Sequence, residues 1–356
     1  MKKMLLLAAF VGVAFTSCVN EEIKNESPLQ TLRFDVPVMK QTRANVKGEI
    51  NGVHYDKRED FKIFCKIYKG TFTGWEDTST DIRDYFSAGG DVAVNEGNGS
   101  QYWSTATTYY WPDAEYSLAF AAYSPAVLTT QPTSIKHEAN GLQIKGFQTE
   151  ADANEQYDLM YSDRVIDRTK NNNGSSAVPL VFRHALTSII FSSEKEDENV
   201  DYIIKSATLR GSFVQKADFN QDIDESVNLT NGAAKWENPA TATAANYEPS
   251  FTEFHVTTTP TQFTQGESAL LLIPQSVPAD AAVTIEYVKI SSGVDTENTI
   301  TIKLADFRQE GGTEITTWEM GKRYVYRIAF GQNKKIYFEP KTEDWVQEGT
   351  LIYEIQ

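Results

Sequence analysis

The sequence predicts an all-β protein of two sandwich domains carried behind an export leader. Three observations carry that expectation. Short apolar segments, either alternating with period two or rich in β-branched and aromatic residues, recur along the chain with Gly, Asn, Pro and Ser clusters between them. After the leader, the 3.6-residue apolar period never runs for three turns. The length, 356 residues, exceeds the roughly 100–200 residues that one core usually serves. The central run at residues 178–191, entered from the polar turn residues Asn171, Asn172, Asn173 and Gly174, reads as a strand at the seam between the two domains. The expected division is therefore 31–180 for an N-terminal sandwich and 181–356 for a C-terminal one.

The leader comes first in the chain. Lys2 and Lys3 form a positive start, residues 4–15 are apolar, and Thr16, Ser17 and Cys18 follow. The run is too short to span a hydrocarbon core of about 30 Å as a stable anchor, so residues 1–17 read as a signal peptide. A cysteine directly after small residues resembles a bacterial lipobox. In that pattern Cys18 is acylated and begins the mature chain, and its acyl chains hold the protein to a membrane without any helix. An ordinary signal peptide that happens to contain a cysteine is the plainer alternative. Residues 18–30, polar and charged, read as a tether.

The folded body opens with Leu32, Phe34, Val36 and Val38 in alternation, interrupted by the polar residues 41–45. Phe61, Ile63, Cys65 and Ile67 alternate next, which makes Cys65 a small buried hydrophobe on one strand face. Residues 71–99 read as loops with short strands, 116–123 as a buried strand stopped by Pro125, and 126–156 as loop again. In the second half, strand character is expected at 202–211, 251–257, 269–273, 283–290, 299–304, 324–330 and 335–338. No fixed-period repeat points to a solenoid or propeller.

Composition narrows function. The chain carries 33 basic and 49 acidic residues, a formal charge of −16. Such a field repels phosphate backbones, and no basic stripe offsets it, so nucleic acid is excluded as a partner. The four histidines, His54, His137, His184 and His255, stand without zinc-ligand spacing. No nucleophile elbow, P-loop or dinucleotide fingerprint occurs. His184 reads as a hydrogen-bonded structural imidazole. Asp218, Asn220, Asp222 and Asp224 begin like a calcium loop, but Ile223 and Leu229 occupy the glycine and glutamate positions, so a solvated acidic turn is the better reading. No catalytic residue, metal ligand or cofactor is therefore assigned.

One resemblance emerges from residues spread through the chain. Tyr109, Tyr110, Trp111 and Pro112 precede Phe120, Tyr123 and Pro125; Asp158 and Tyr161 follow, then Phe182, Arg183 and His184. Leu272, Pro274 and Gln275 come later, then Trp318, Gly321, Lys322 and Tyr324, and finally Phe338, Pro340, Asp344 and Trp345. In this order, behind such a leader, the set resembles the fimbrillin family of Bacteroidetes, the Mfa-like and FimA-type pilins. The resemblance implies two transthyretin-like β-sandwich domains, lipoprotein export with palmitate on Cys18, and a surface-exposed place on the outer membrane and in the fimbrium. It implies a structural or adhesive subunit, not an enzyme, with other fimbrial subunits and a host or bacterial surface ligand as partners.

In the resembling pilins a trypsin-like protease removes the first strand after an arginine, and a neighbour's strand fills the groove. The matching positions are Arg43 and Ala44, against the alternative of a plain exposed arginine. At the C-terminus Leu351, Tyr353 and Ile355 alternate on one face, as a donor strand must; they serve equally as the last strand of their own domain. A second functional reading is a glycan-binding surface lipoprotein, with exposed Trp75, Trp103 and Trp111 as stacking platforms; packing of these rings in the core or in loops is the plainer reading. A hydrolase on a β-sandwich is the third, with no acid/base pair to carry it.

Overall fold

The computed structural model describes residues 30–36, 60–72, 82–97, 100, 102–128, 132–138, 141–173, 177–222, 233–264, 269–307, 314–331 and 337–344. The fold of these residues is all-β, built of several stacked sheets. Helix is limited to single turns, of which Lys170–Asn173 lies in the polar cluster before the central run. Thr169 and Asn172 cap that turn reciprocally, each backbone N–H meeting the other's side-chain oxygen at 2.8 and 3.1 Å.

A ten-stranded sheet dominates the first half. Along its main path lie strands Val178–Pro179, Phe34–Asp35, Tyr102–Thr105, Asp91–Asn95, Phe61–Tyr68, Ser117–Ser124, Met160–Ser162 and Phe182–His184. The two ends of this path, Pro179 and Phe182, are joined by only Leu180 and Val181, so the sheet curls back toward itself. Its inner face encloses a core of Phe34, Phe61, Ile63, Cys65, Phe86, Trp103, Leu118, Phe120, Val178 and neighbours. Alternation places Phe61, Ile63, Cys65 and Ile67 there together, as expected. The opposite face of the same strand is not solvated, because Phe64 and Tyr68 enter a second core. Phe64 and Tyr68 are thus core residues that the one-faced reading left out.

That second core joins the ten-stranded sheet to a four-stranded one, Ala233–Glu237, Lys216–Asp222, Gly141–Gln148 and Ser134–Glu138. The loop expected over 126–156 is in part the hairpin Ser134–Glu138 with Gly141–Gln148; Leu142, Ile144 and Phe147 point inward and stabilise it. Lys216–Asp222 is likewise a strand rather than an acidic turn. Ala217 and Phe219 face the core, while Asp218 accepts hydrogen bonds from the Gly146 N–H at 2.7 Å and Asn238 Nδ2 at 2.9 Å.

The central run divides into three strands with different partners. Val178–Pro179 runs parallel to the first strand, Phe182–His184 pairs with Met160–Ser162, and Thr187–Lys195 enters another sheet, parallel to Lys322–Phe330. That sheet packs against a further one built on Val200–Phe213 and Ala282–Ser291, and a third core fills the space with Phe191, Ile204, Leu209, Val283, Ile285, Trp318 and Tyr326. At the passage between sheets, His184 Nδ1 meets Asp158 Oδ2 at 2.5 Å, both side chains buried. Burial pushes the Asp158 carboxyl up, opposed by His184 and by the Arg323 guanidinium. His184 is the structural imidazole its setting predicts.

Candidate functional site

The first strand and the groove beneath it form the candidate site. Leu32, Phe34 and Val36 alternate with Arg33 and Asp35, so three apolar side chains share one face. All three are buried, with Phe34 fully so. The Phe34 ring meets Phe61, Phe86 and Phe120 edge-on at centroid separations of 6.2, 6.3 and 5.7 Å. Trp103, Val178 and Leu180 belong to the same core.

The backbone of this strand is shared between two neighbours. Phe34 pairs with Val178 in parallel and with Trp103 antiparallel. Val178 and Leu180 donate their N–H groups to the carbonyls of Arg33 and Asp35, both at 2.8 Å. One turn earlier, the Leu32 N–H reaches the Tyr109 carbonyl at 2.8 Å, and the Trp111 N–H reaches that of Gln30 at 2.9 Å. Removing the strand would therefore orphan backbone groups on both sides as well as uncover the aromatic floor.

On the outer face the strand is held by charge. Arg33 forms a two-pronged ion pair with Glu96, Nε to Oε1 at 2.7 Å, and its guanidinium lies 4.7 Å from the centre of the Tyr102 ring. The Glu96 hydrogen bond raises the Arg33 pKa further above its usual value. Exposed pairs of this kind contribute about 0–1 kcal/mol, whereas each buried apolar side chain contributes about 1.5–3 kcal/mol. The apolar face thus dominates the strand's attachment. Beside it, partial burial pushes the Asp35 carboxyl up.

Cys18, Arg43, Ala44, Leu351, Tyr353 and Ile355 lie outside the described residues, as does Trp75. Trp103 and Trp111 are 3% and 6% exposed, which bears out core packing for both and corrects the alternative of exposed stacking platforms: both rings belong to the core around Phe34. Sequence reasoning found the first strand and, in Phe61 and Phe120, part of its floor, but missed Phe86, which lies in a segment read as loops with short strands. Among the described residues no cluster of three or more His, Cys, Asp or Glu side chains is placed to hold a metal ion. Also among them, no helix is long and apolar enough to cross a membrane.

A curled β-sheet that holds one short strand over an aromatic floor, in an all-β body of several sheets, defines the class of scaffold. The chain belongs to the fimbrillin-like family, whose model matches residues 56–345. Its fold is similar to that of a fimbrial protein from Bacteroides vulgatus, with a TM-score of 0.60 and 18% identity over 89% of this chain and 99% of the other. A protein from Bacteroides uniformis assigned to cell adhesion gives a TM-score of 0.53 and 14% identity over 88% and 98% of the two chains. At these identities the likeness is one of fold. Comparison with curated protein sequences returned no significant match.

Proposed function

We propose that this chain is a structural or adhesive subunit of a bacterial surface fimbria, without catalytic activity, exported as a lipoprotein and assembled by strand exchange. The observation that carries the reading is the first strand: Leu32, Phe34 and Val36 fill a groove that another strand of the same alternation could fill. In this reading cleavage between Arg43 and Ala44 releases residues up to 43, the groove opens, and a neighbour's Leu351, Tyr353 and Ile355 enter it. Cys18 carries the acyl chains that hold the unprocessed subunit to the outer membrane until that cleavage frees it, and the chain is organised as two β-domains divided near residue 180. Its partners are other fimbrial subunits, with a host or bacterial surface ligand.

The decisive experiment treats the full chain with a trypsin-like protease and offers the processed form a synthetic peptide of residues 349–356. Cleavage after Arg43 followed by binding of that peptide, and no binding by the Arg43→Ala chain, is the expected result. Processing elsewhere, or equal binding by intact and processed chains, overturns strand exchange at this groove. Mass spectrometry of the Arg43→Ala chain from cell membranes tests the anchor: an N-terminal residue 18 without acyl chains refutes it.

A further inference from the structure

The longest hairpin among the described residues presents an edge that the groove does not involve. Strand Val294–Lys303 pairs with Ala282–Ser291 through ten consecutive residue pairs with no register shift. The turn Ser292 and Gly293 takes positive φ at both residues, 54° and 75°, as a two-residue hairpin turn of this twist requires. Among the described residues no strand pairs with the outer edge of Val294–Lys303. Two usual protections of an edge, proline and a bulge, are missing from it, and its ten residues are long for an edge strand; the protection it carries is charge. Four of them are β-favouring threonine or isoleucine on consecutive positions, Thr299, Ile300, Thr301 and Ile302.

Charge along this edge is divided. Asp295 and Glu297 stand toward the hairpin tip and Lys303 at its base, all three exposed and none with an ion-pair partner among the described residues. With side chains alternating, residues 295, 297, 299, 301 and 303 share one face. A parallel alignment of two copies sets Asp295 and Glu297 beside their own equivalents, which is repulsive. An antiparallel alignment centred on Thr299 sets Asp295 of each copy opposite Lys303 of the other, and Glu297 opposite Thr301. Centring on Ile300 instead sets Glu297 opposite Lys303, an equivalent acid–base pair, but it shortens the facing stretch from residues 295–303 to 297–303 and puts Asp295 beyond the partner's strand, so length selects the Thr299 register. For a chain of formal charge −16, an alignment that sets acid against base on this edge is the one that lets two copies approach so closely.

We propose that strand Val294–Lys303 is a docking edge for a second copy of this chain, joined antiparallel about a two-fold axis at Thr299. Such an interface is isologous, so it closes as a side-by-side pair and does not grow into a filament by itself. It is independent of strand exchange, which acts in the core around Phe34, whereas this hairpin belongs to the third core through Ile285 and Ile302.

Single cysteines test the register in the full, unprocessed chain, with Cys18→Ser throughout and Cys65 buried. Facing Cα atoms of an antiparallel pair lie about 4.5–5.5 Å apart, within disulfide range. Thr299→Cys is expected to give a disulfide-linked dimer on mild oxidation, while Glu297→Cys alone gives none. Mixing Glu297→Cys with Thr301→Cys restores the dimer. Adding Lys303→Glu to Thr299→Cys abolishes it, and the exchange Asp295→Lys with Lys303→Asp recovers it. Thr299→Cys that stays monomeric, Glu297→Cys that cross-links equally well, or indifference to charge reversal each overturns the proposal. These positions are solvent-exposed, and a melting temperature unchanged from the parent chain establishes that the variants fold.

Discussion

Phe34→Ala should weaken the first strand's hold more than any other single truncation on that strand. Phe34 is fully buried and packs edge-on against three phenylalanines, so its loss removes the transfer free energy of a whole ring and leaves a hole that Phe61, Phe86 and Phe120 cannot close together. Truncations of this kind cost about 3–5 kcal/mol. In a cooperative unit of this size about 1 kcal/mol moves the melting temperature by about 2–4 °C, so a fall of about 6–20 °C is expected by circular dichroism or calorimetry. The comparison variant is Arg33→Ala on the same strand. It loses the Glu96 pair and the Tyr102 contact, both at the surface, and should cost no more than about 1 kcal/mol from the ion pair. Equal melting temperatures for the two variants would refute the view that the apolar face holds the strand.

Three further outcomes follow from the same geometry. Burial raises the Asp35 pKa, so the folded state binds its proton more tightly than the unfolded chain; this contribution is complete below the unfolded carboxylate pKa and is lost as pH rises through the folded value. Asp35→Asn should therefore raise the melting temperature at neutral pH and lose that advantage in acid, and a pH-independent difference would contradict the assignment. Cys65 shares the core with Phe34 and its thiol pKa is pushed well up by burial, so with Cys18→Ser the folded chain should resist a thiol reagent until residues up to 43 are removed. Gly90 has φ of 73°, and a Cβ there would stand 2.9 Å from the Ile63 carbonyl oxygen, so Gly90→Ala should destabilise by at least about 1 kcal/mol in chemical denaturation.

Local pattern was sufficient for much of this protein. Alternation and β-branching located the strands around residues 61–68, 117–124 and 283–290, and His184 was legible as a hydrogen-bonded imidazole because it sits inside an apolar strand run. The family likeness was legible too, because aromatic and proline positions keep their order along the chain even where the strands between them vary. Alternation, however, fixes only which face a side chain takes and says nothing of which strand lies beside it. Tertiary pairing alone decided that residues 178–191 serve three separate strands, that Phe64 and Tyr68 enter a second core, and that Trp103 and Trp111 turn inward. The groove is the clearest instance. Phe34 is visible in the sequence as the centre of an alternating triplet, but its neighbours Trp103 and Val178 are brought to it by backbone hydrogen bonds across long stretches of chain. Those bonds involve groups every residue carries, so no side-chain pattern encodes them; burial of the shared aromatic core selects the pairing.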